Sequence, residues 1–434
     1  MKPHRIVLYG NFGAGNLGNE CTLQTAIEET LRRAPHAQLL CVCTNPEDVR
    51  TRHGIAAVPS LWKKAGWSWS DLQKDPSAGQ GLAVGDRTTP GRPASRSLAA
   101  RLLRAARSAV LRAPRELAHW YRSLRVMAGS DVFLVPGTGI VTDKGCGSLG
   151  YPYDLFKLTI LARLCRARVV YLSVGAGPFE HKLGCWFVRR SLGLAHYRSY
   201  RDGDSKRRLQ AIGFNATHDA VYPDLVFGLS PQHLGAEVKE PGRPRVVGLG
   251  LKDYAAPLDE TDANGYRAYL ELMADFVVWL QSRGHTVRLI IGDAQYDTRV
   301  REDLLAVLKA RGEGDEPLSD PVPTVEELLR QLRETDAVVS PRFHNLVLAL
   351  ILNKPVIALS DLPKVDALLS DLGLQAYCLS LQGLRAEDLT GRFAQLESEA
   401  ATLRAHITEQ VQRYRRLVDE QYSMVLGNGA NPGS

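Results

Sequence analysis

Short apolar bursts alternate with helical spacings along most of the chain. Near-continuous apolar runs cover 5–10, 39–44, 131–136 and 168–174, the pattern of strands buried on both faces. Between the first two runs, Leu23, Ile27 and Leu31 line one face of a helix over 20–34, and helical spacing recurs over about 153–166. A short strand at 199–202 precedes a helix over 205–212. The second half repeats this grammar, with strands at 246–251, 287–291, 337–340 and 356–359 and helices at 266–283, 299–311 and 325–335. A long helical pattern, about 386–425, closes the chain. This alternation predicts an α/β fold with mostly parallel sheets covered by helices. The polar stretch 230–244, rich in Pro and Gly, reads as a linker. Two facing Rossmann-like domains are therefore expected, 1–235 and 236–434, the second ending in the long helix.

One region breaks the pattern. Residues 63–97 are rich in Gly, Pro, Ser and Asp, hold Trp67 and Trp69 next to Trp62, and read as a flexible insertion. Residues 98–127 read as a basic amphipathic helix interrupted near Pro114. From Arg87 to Arg125 there are ten arginines, no lysine, and Glu116 as the only acid. The expectation is a helix covering the amino-half sheet with its arginines in solvent. An anionic membrane surface is the other partner that such a face fits. No nucleic-acid-binding pattern accompanies the charge, so no nucleic acid partner is expected.

Composition adds limits. The 434 residues carry 54 basic and 47 acidic side chains, a formal charge of +7. That suits an anionic substrate or surface and decides neither. No apolar run reaches eighteen residues, and the opening M-K-P-H-R-I-V-L-Y-G enters a strand without a signal-type apolar region. Seven scattered cysteines show neither C-x-x-C nor Cys/His metal spacing. Reduced thiols in a cytoplasmic protein, with no metal and no cofactor, is the simplest expectation.

The chemistry concentrates in Ser340-Pro341-Arg342-Phe343-His344-Asn345, at the end of one apolar strand, and in Lys364, just after the next. Open α/β sheets bind ligands at the carboxyl ends of their strands. Arg342 can fork onto a carboxylate or phosphate, and His344 can move a proton near neutral pH. The first strand runs into G-N-F-G-A-G-N-L-G-N-E, where Gly13, Gly15, Asn16 and Gly18 allow tight turns and close approach to a ligand. Gly137-Thr138-Gly139 and Gly175-Ala176-Gly177 follow two more strands. Arg201 also sits at a strand end, and Asp224 closes the amino half; a structural ion pair between them explains both equally well.

G-N-F-G-A-G-N-L-G-N-E, V-G-A-G-P, Y-R-D-G-D-S with L-Q-A-I-G-F, P-D-L, S-P-R-F-H-N and the later P-K together resemble the polysaccharide pyruvyl transferase family, in the right order over nearly the whole chain. The resemblance implies a glycosyltransferase-B-like pair of domains. It also implies transfer of the pyruvyl group of phosphoenolpyruvate onto sugar hydroxyls as a ketal. By matching motif, Arg342 and His344 would contact phosphoenolpyruvate, with Arg201 and Lys364 as further partners of its carboxylate or phosphate. His344 is the expected acid/base, and Gly13, Gly15, Asn16, Gly18 and Asp224 are expected to shape the substrate site. The acceptor would be a sugar, lipid-linked or nucleotide-linked, in exopolysaccharide or cell-envelope synthesis, which would place the protein at the inner face of the membrane. The chain departs from the family pattern at Asn19, where Asp is usual, and at Pro136-Gly137-Thr138-Gly139, where a glycine run is usual. A sugar-nucleotide-dependent glycosyltransferase and a non-catalytic glycan-assembly protein are the alternatives.

Overall fold

The structure, a computed structural model, describes residues 5–60, 114, 116–235, 245–253, 263–294, 296–312 and 314–427. The expected insertion at 63–97 lies outside the described residues, as do 98–113 and 115 of the expected basic helix; residues 116–127 are helical.

Twelve described strands form two sheets. In the amino half β1 (Arg5–Tyr9), β2 (Gln38–Cys43), β3 (Ala56–Pro59), β4 (Val132–Pro136), β5 (Arg168–Val174), β6 (Tyr197–Tyr200) and β7 (Ala220–Val221) stand in the order β3-β2-β1-β4-β5-β6-β7. In the carboxyl half β8 (Val246–Gly250), β9 (Thr286–Ile290), β10 (Ala337–Ser340), β11 (Val356–Ser360) and β12 (Cys378–Ser380) stand as β12-β11-β10-β8-β9. All of these pairings are parallel. The strands are parallel because each apolar run is followed by a helix that carries the chain back across the sheet. The strand order reverses between β1 and β4 and again between β8 and β10, so each sheet has a crevice at its carboxyl edge.

The central strands are buried on both faces, as their continuous apolar runs require. Ile6, Leu8 and Leu134 face a core that continues into the carboxyl half through Phe227, Leu249 and Phe276. Val7, Tyr9, Phe133 and Tyr171 face a second core on the other side of the first sheet.

The last helix, Ala386–Leu426, ties the halves together. Its beginning sets Phe393 edge-on to Phe276 at 5.7 Å, and Arg404 donates to the carbonyls of Asn353 and Asp336 at 2.9 and 2.8 Å. Its end lies on the amino half. There Tyr414 meets Phe227 at 4.8 Å, and buried Gln421 bridges Ser173 and Ser199 at 3.0 and 2.7 Å. A buried amide with both ends bonded fixes register better than an apolar contact of equal area, because a slip would orphan it.

Candidate active site

Six strand ends and the helix starts behind them meet at one small cavity of about 170 Å³. From the amino half it is lined by Asn11, Asn16 and Asn19 after β1, Gly139, Ile140 and Tyr151 after β4, and Arg201 after β6. From the carboxyl half come Gly292 after β9, Arg342 to Asn345 after β10, and Lys364 after β11.

The first glycine loop is a joint as much as a cradle. Asn16 caps helix Leu17–Arg33 by accepting from the Asn19 amide at 3.2 Å, and its Nδ2 donates to Asp293 Oδ2 at 3.0 Å in the other half. The Leu17 amide donates to the Gly292 carbonyl at 3.3 Å, and the Ala294 amide donates to the Gly15 carbonyl at 3.1 Å. Gly13, at φ +73°, turns away from the cavity and donates its amide to Glu20 at 2.8 Å. Gly18 lies under the His344 ring, and a Cβ there would overlap the imidazole. Of the four loop positions expected at the site, then, Asn16 lines the cavity, Gly18 makes room for His344, and Gly13 and Gly15 hold the loop.

The carboxyl-half residues lie where the motif puts them. Helix Phe343–Ile351 starts with Arg342 as its cap, without a side-chain cap bond, so its amino end opens on the cavity and favours an anion. Arg342 Nε donates to Asp297 Oδ2 at 2.8 Å, and its Nη2 pairs with Oδ1 of the same carboxylate. Asp297 is wholly buried, and its oxygens also accept from the amides of Asp253 and Asp293. Lys364 enters on the first turn of helix Pro363–Asp371 and stands 5.3 Å from the Phe343 ring centre. Arg201 approaches the same ring from the amino half, also at 5.3 Å. Phe343 is thus the floor under two cations, which its ring face attracts.

Asp224 is buried behind this wall and is not among the lining residues. One oxygen accepts from the Val226 amide at 3.0 Å. The other stands 3.7 Å from Arg201 Nη1 and 4.0 Å from His344 Nε2. Arg201 reaches its position because Gly175 has no side chain: a Cβ there would stand 2.6 Å from Nη2.

The electrostatics follow from burial and crowding. Burial, then Lys364, Arg201 and Arg342, hold His344 well below the usual imidazole range. Burial, with Arg201, Lys252 and Arg342, pushes the Lys364 ammonium down to about 7, against Asp224. Burial raises Asp224 and Asp297, with Arg201 and Arg342 respectively opposing. The cavity's own side chains are therefore short of negative charge. It can hold a small polyanion and exchange a proton with it, and both would relieve the crowding. Among the described residues, no group of three or more His, Cys, Asp or Glu side chains could hold a metal ion, and no helix is long and apolar enough to cross a membrane.

Sequence reasoning missed Asp297, Asp293 and Tyr151. Asp297 begins the helix after β9, a position that strand-end reasoning covers, but nothing in the sequence pairs it with Arg342.

Among known families, the model described as polysaccharide pyruvyl transferase matches residues 16–361. No curated protein matches the chain by sequence. Among solved structures, a UDP-N-acetylglucosamine 2-epimerase matches with TM-score 0.59 at 12% identity, covering 100% of this chain and 99% of that one. A putative UDP-N-acetylglucosamine 2-epimerase from Listeria monocytogenes gives 0.56 at 12%, covering 99% and 98%. A glycosyltransferase from Rickettsia africae gives 0.55 at 10%, covering 99% and 100%. At these identities the likeness is one of fold, the glycosyltransferase-B-like pair of sheets with a long last helix.

Proposed function

The chain belongs to the polysaccharide pyruvyl transferase family, and from that premise we propose that it moves the pyruvyl group of phosphoenolpyruvate onto two hydroxyls of a sugar acceptor. The observation that carries this reading is the convergence of Arg201, Arg342, Lys364 and His344 on one small cavity. Phosphoenolpyruvate carries a carboxylate and a phosphate. Arginine forks onto such oxyanions and lysine meets them as a point charge. The cavity suits a donor of that size better than a sugar nucleotide.

The reaction needs a proton delivered to carbon and others removed from hydroxyls. His344, charged once the donor has neutralised the cations around it, gives its proton to the methylene carbon, and the central carbon becomes electrophilic. A sugar hydroxyl adds there and returns its proton to His344. Phosphate then leaves, and the second hydroxyl closes the ketal, its proton leaving with phosphate. One hydroxyl proton ends in the new methyl group and the other on phosphate. A positioned acid/base contributes roughly 10²–10⁴-fold. Arg342, held by Asp297, fixes the donor, and Arg201 and Lys364 stabilise the departing phosphate. The acceptor enters along the asparagine wall of Asn11 and Asn19, whose amides both donate and accept as sugar hydroxyls require. A lipid-linked or nucleotide-linked precursor, met at the inner face of an anionic membrane, is the acceptor class this reading favours, with no cofactor beyond the donor itself.

Calorimetric titration of phosphoenolpyruvate against a set of sugar nucleotides tests the donor. Phosphoenolpyruvate should bind and lose affinity in Arg342→Ala. Saturable binding of a sugar nucleotide alone would overturn the reading in favour of a glycosyltransferase.

A further inference from the structure

Two buried polar atoms face each other across a gap without a hydrogen bond, and Arg201 Nε beside them stands 3.4 Å from the Asp202 carboxylate. Asp224 Oδ2, His344 Nε2 and Arg201 Nε are all closed off from solvent, and none has a hydrogen bond. The first two face each other at 4.0 Å, and Arg201 reaches the same Oδ2 with Nη1 at 3.7 Å. Both separations exceed a hydrogen bond. Asp224 is 3% exposed and does not line the cavity, so it touches no bound molecule there. Its other oxygen is already committed to Val226. Buried polar groups left open in this way call for a partner, and a second arrangement of the site would supply one.

We infer that Asp224 is the positioning residue of His344, and that an anion drawn onto Arg201 hands the Asp224 carboxylate from the guanidinium to the imidazole. The charged groups that face His344 are Arg342 on its own element, Lys364 from helix Pro363–Asp371, Arg201 after β6 and Asp224 before the turn Leu225–Gly228. Helix Leu17–Arg33 packs against it at Gly18. Three cations oppose a charge on the ring, and Asp224 is shared with one of them. A phosphate-class dianion on Arg201 and Lys364 cancels those cations and leaves Asp224 to His344. A shift of about 1.1–1.3 Å then closes Nε2–H onto Oδ2, within the normal range of a charge-assisted bond. One proton enters from solvent with the anion and resides on the imidazole. Because Nε2 is tied to Asp224, Nδ1, the nitrogen beside Gly18, exchanges protons with the bound molecule. The catalytic group is thus armed only when the donor is in place. The same carboxylate-to-imidazole logic orients acid/base histidines in hydrolases of unrelated fold.

The inference rests on the proposed donor only for the identity of the anion, so the test uses two anions. Nitrogen-15 imidazole signals of the whole protein are followed through a pH titration without anion, with phosphoenolpyruvate and with inorganic phosphate; His344 is identified by its loss in His344→Ala. In the wild type its pKa should rise by at least about one unit on anion binding, a tenfold gain in proton affinity. Asp224→Asn keeps an acceptor for Val226 and should lose most of that rise. Its KM for phosphoenolpyruvate should stay within about threefold while kcat falls about 10–100-fold, the range of a lost orienting partner. Asp224→Glu should recover part of the rise. If Asp224→Asn binds the anion and shows the full wild-type rise, or if neither anion moves His344 in the wild type, the inference is wrong. If inorganic phosphate moves His344 but phosphoenolpyruvate does not bind, the switch stands and the donor assignment falls.

Discussion

Two arginines reach the cavity from opposite halves, and each has a buried aspartate behind it. Arg342 is held by Asp297 through two of its nitrogens, and that carboxylate is further fixed by the amides of Asp253 and Asp293. Arg201 stands 3.7 Å from Asp224 and 3.4 Å from Asp202, and its Nε has no hydrogen bond. The first pair is closed and the second is open. A closed pair presents a guanidinium in one orientation, which suits recognition. An open pair has groups free to change partners, which suits a step that must follow binding. In the proposed reaction the closed pair would position the donor and the open pair would supply the trigger.

The largest effect should come from the residue that the open pair serves. His344→Ala should lower turnover roughly 10²–10⁴-fold while phosphoenolpyruvate still binds, because anion affinity rests on the fixed cations. Steady-state kinetics set beside calorimetric donor binding check this. Turnover at the wild-type rate with a true acceptor would reduce His344 to a positioning role.

Next come the arginines themselves. Arg342→Ala should weaken donor binding roughly ten- to a hundredfold, from a lost charged bond of about 1.5–3 kcal/mol. It should also strip a buried carboxylate of its partner, a change that typically costs about 3–5 kcal/mol of stability. Arg201→Ala should weaken the donor similarly with a smaller loss of stability, since its contacts to Asp202 and Asp224, at 3.4 and 3.7 Å, are not hydrogen bonds. Denaturant titrations of the two variants compare them. Equal stability losses would contradict the contrast between closed and open pairs.

Much of this was legible in the chain. The apolar runs at 5–10, 168–174 and 337–340 became buried strands because a parallel strand covered on both faces has no polar side to show. Arg342, His344 and Lys364 were legible because strand ends in α/β folds converge. Short edges were not: β3, β7 and β12 span two to four residues and carry too little periodicity to read. Helix Pro46–His53 was overlooked although Asn45, Pro46 and Gly54 mark its ends. The roles of Gly13 and Gly15 were misjudged for a different reason. A glycine that turns a loop toward a ligand and one that turns it toward the other half of the molecule look alike in sequence. Only the contacts separate them: the Gly15 carbonyl accepts from Ala294 in the other half, whereas the Gly13 amide donates to Glu20 in its own. The pairing of Arg342 with Asp297 spans 45 residues and two elements, so no local pattern encodes it.

Two glycines give a finer test of the same division. Gly18→Ala should displace His344 and act mainly on kcat, whereas Gly175→Ala should displace Arg201 and act mainly on donor affinity. Kinetic parameters for the two variants should therefore split in opposite directions. A common fall in both parameters would mean that the loops deform instead.

The smallest expected effect concerns pH. The Lys364 ammonium falls from its ordinary value to about 7 in the folded chain. Between that value and the unfolded one, the unfolded chain binds more protons, so stability rises with pH across the window. Below about 7 the full cost of the buried charge is present; above the unfolded value it is gone. Lys364→Met should therefore raise the thermal midpoint of the empty protein at pH 6–7, with little change near pH 10, while weakening donor binding. A midpoint that falls at pH 6–7 would place Lys364 in a stabilising contact instead.

The central claim is pyruvyl transfer from phosphoenolpyruvate, and one measurement reaches it directly. The protein is incubated with phosphoenolpyruvate and a panel of lipid-linked and nucleotide-linked sugars, phosphate release is followed, and the acceptors are weighed by mass spectrometry. The account predicts phosphate release that depends on one acceptor class, matched mole for mole by a pyruvate ketal on that acceptor and abolished in His344→Ala. Consumption of a sugar nucleotide with phosphoenolpyruvate left intact would contradict it.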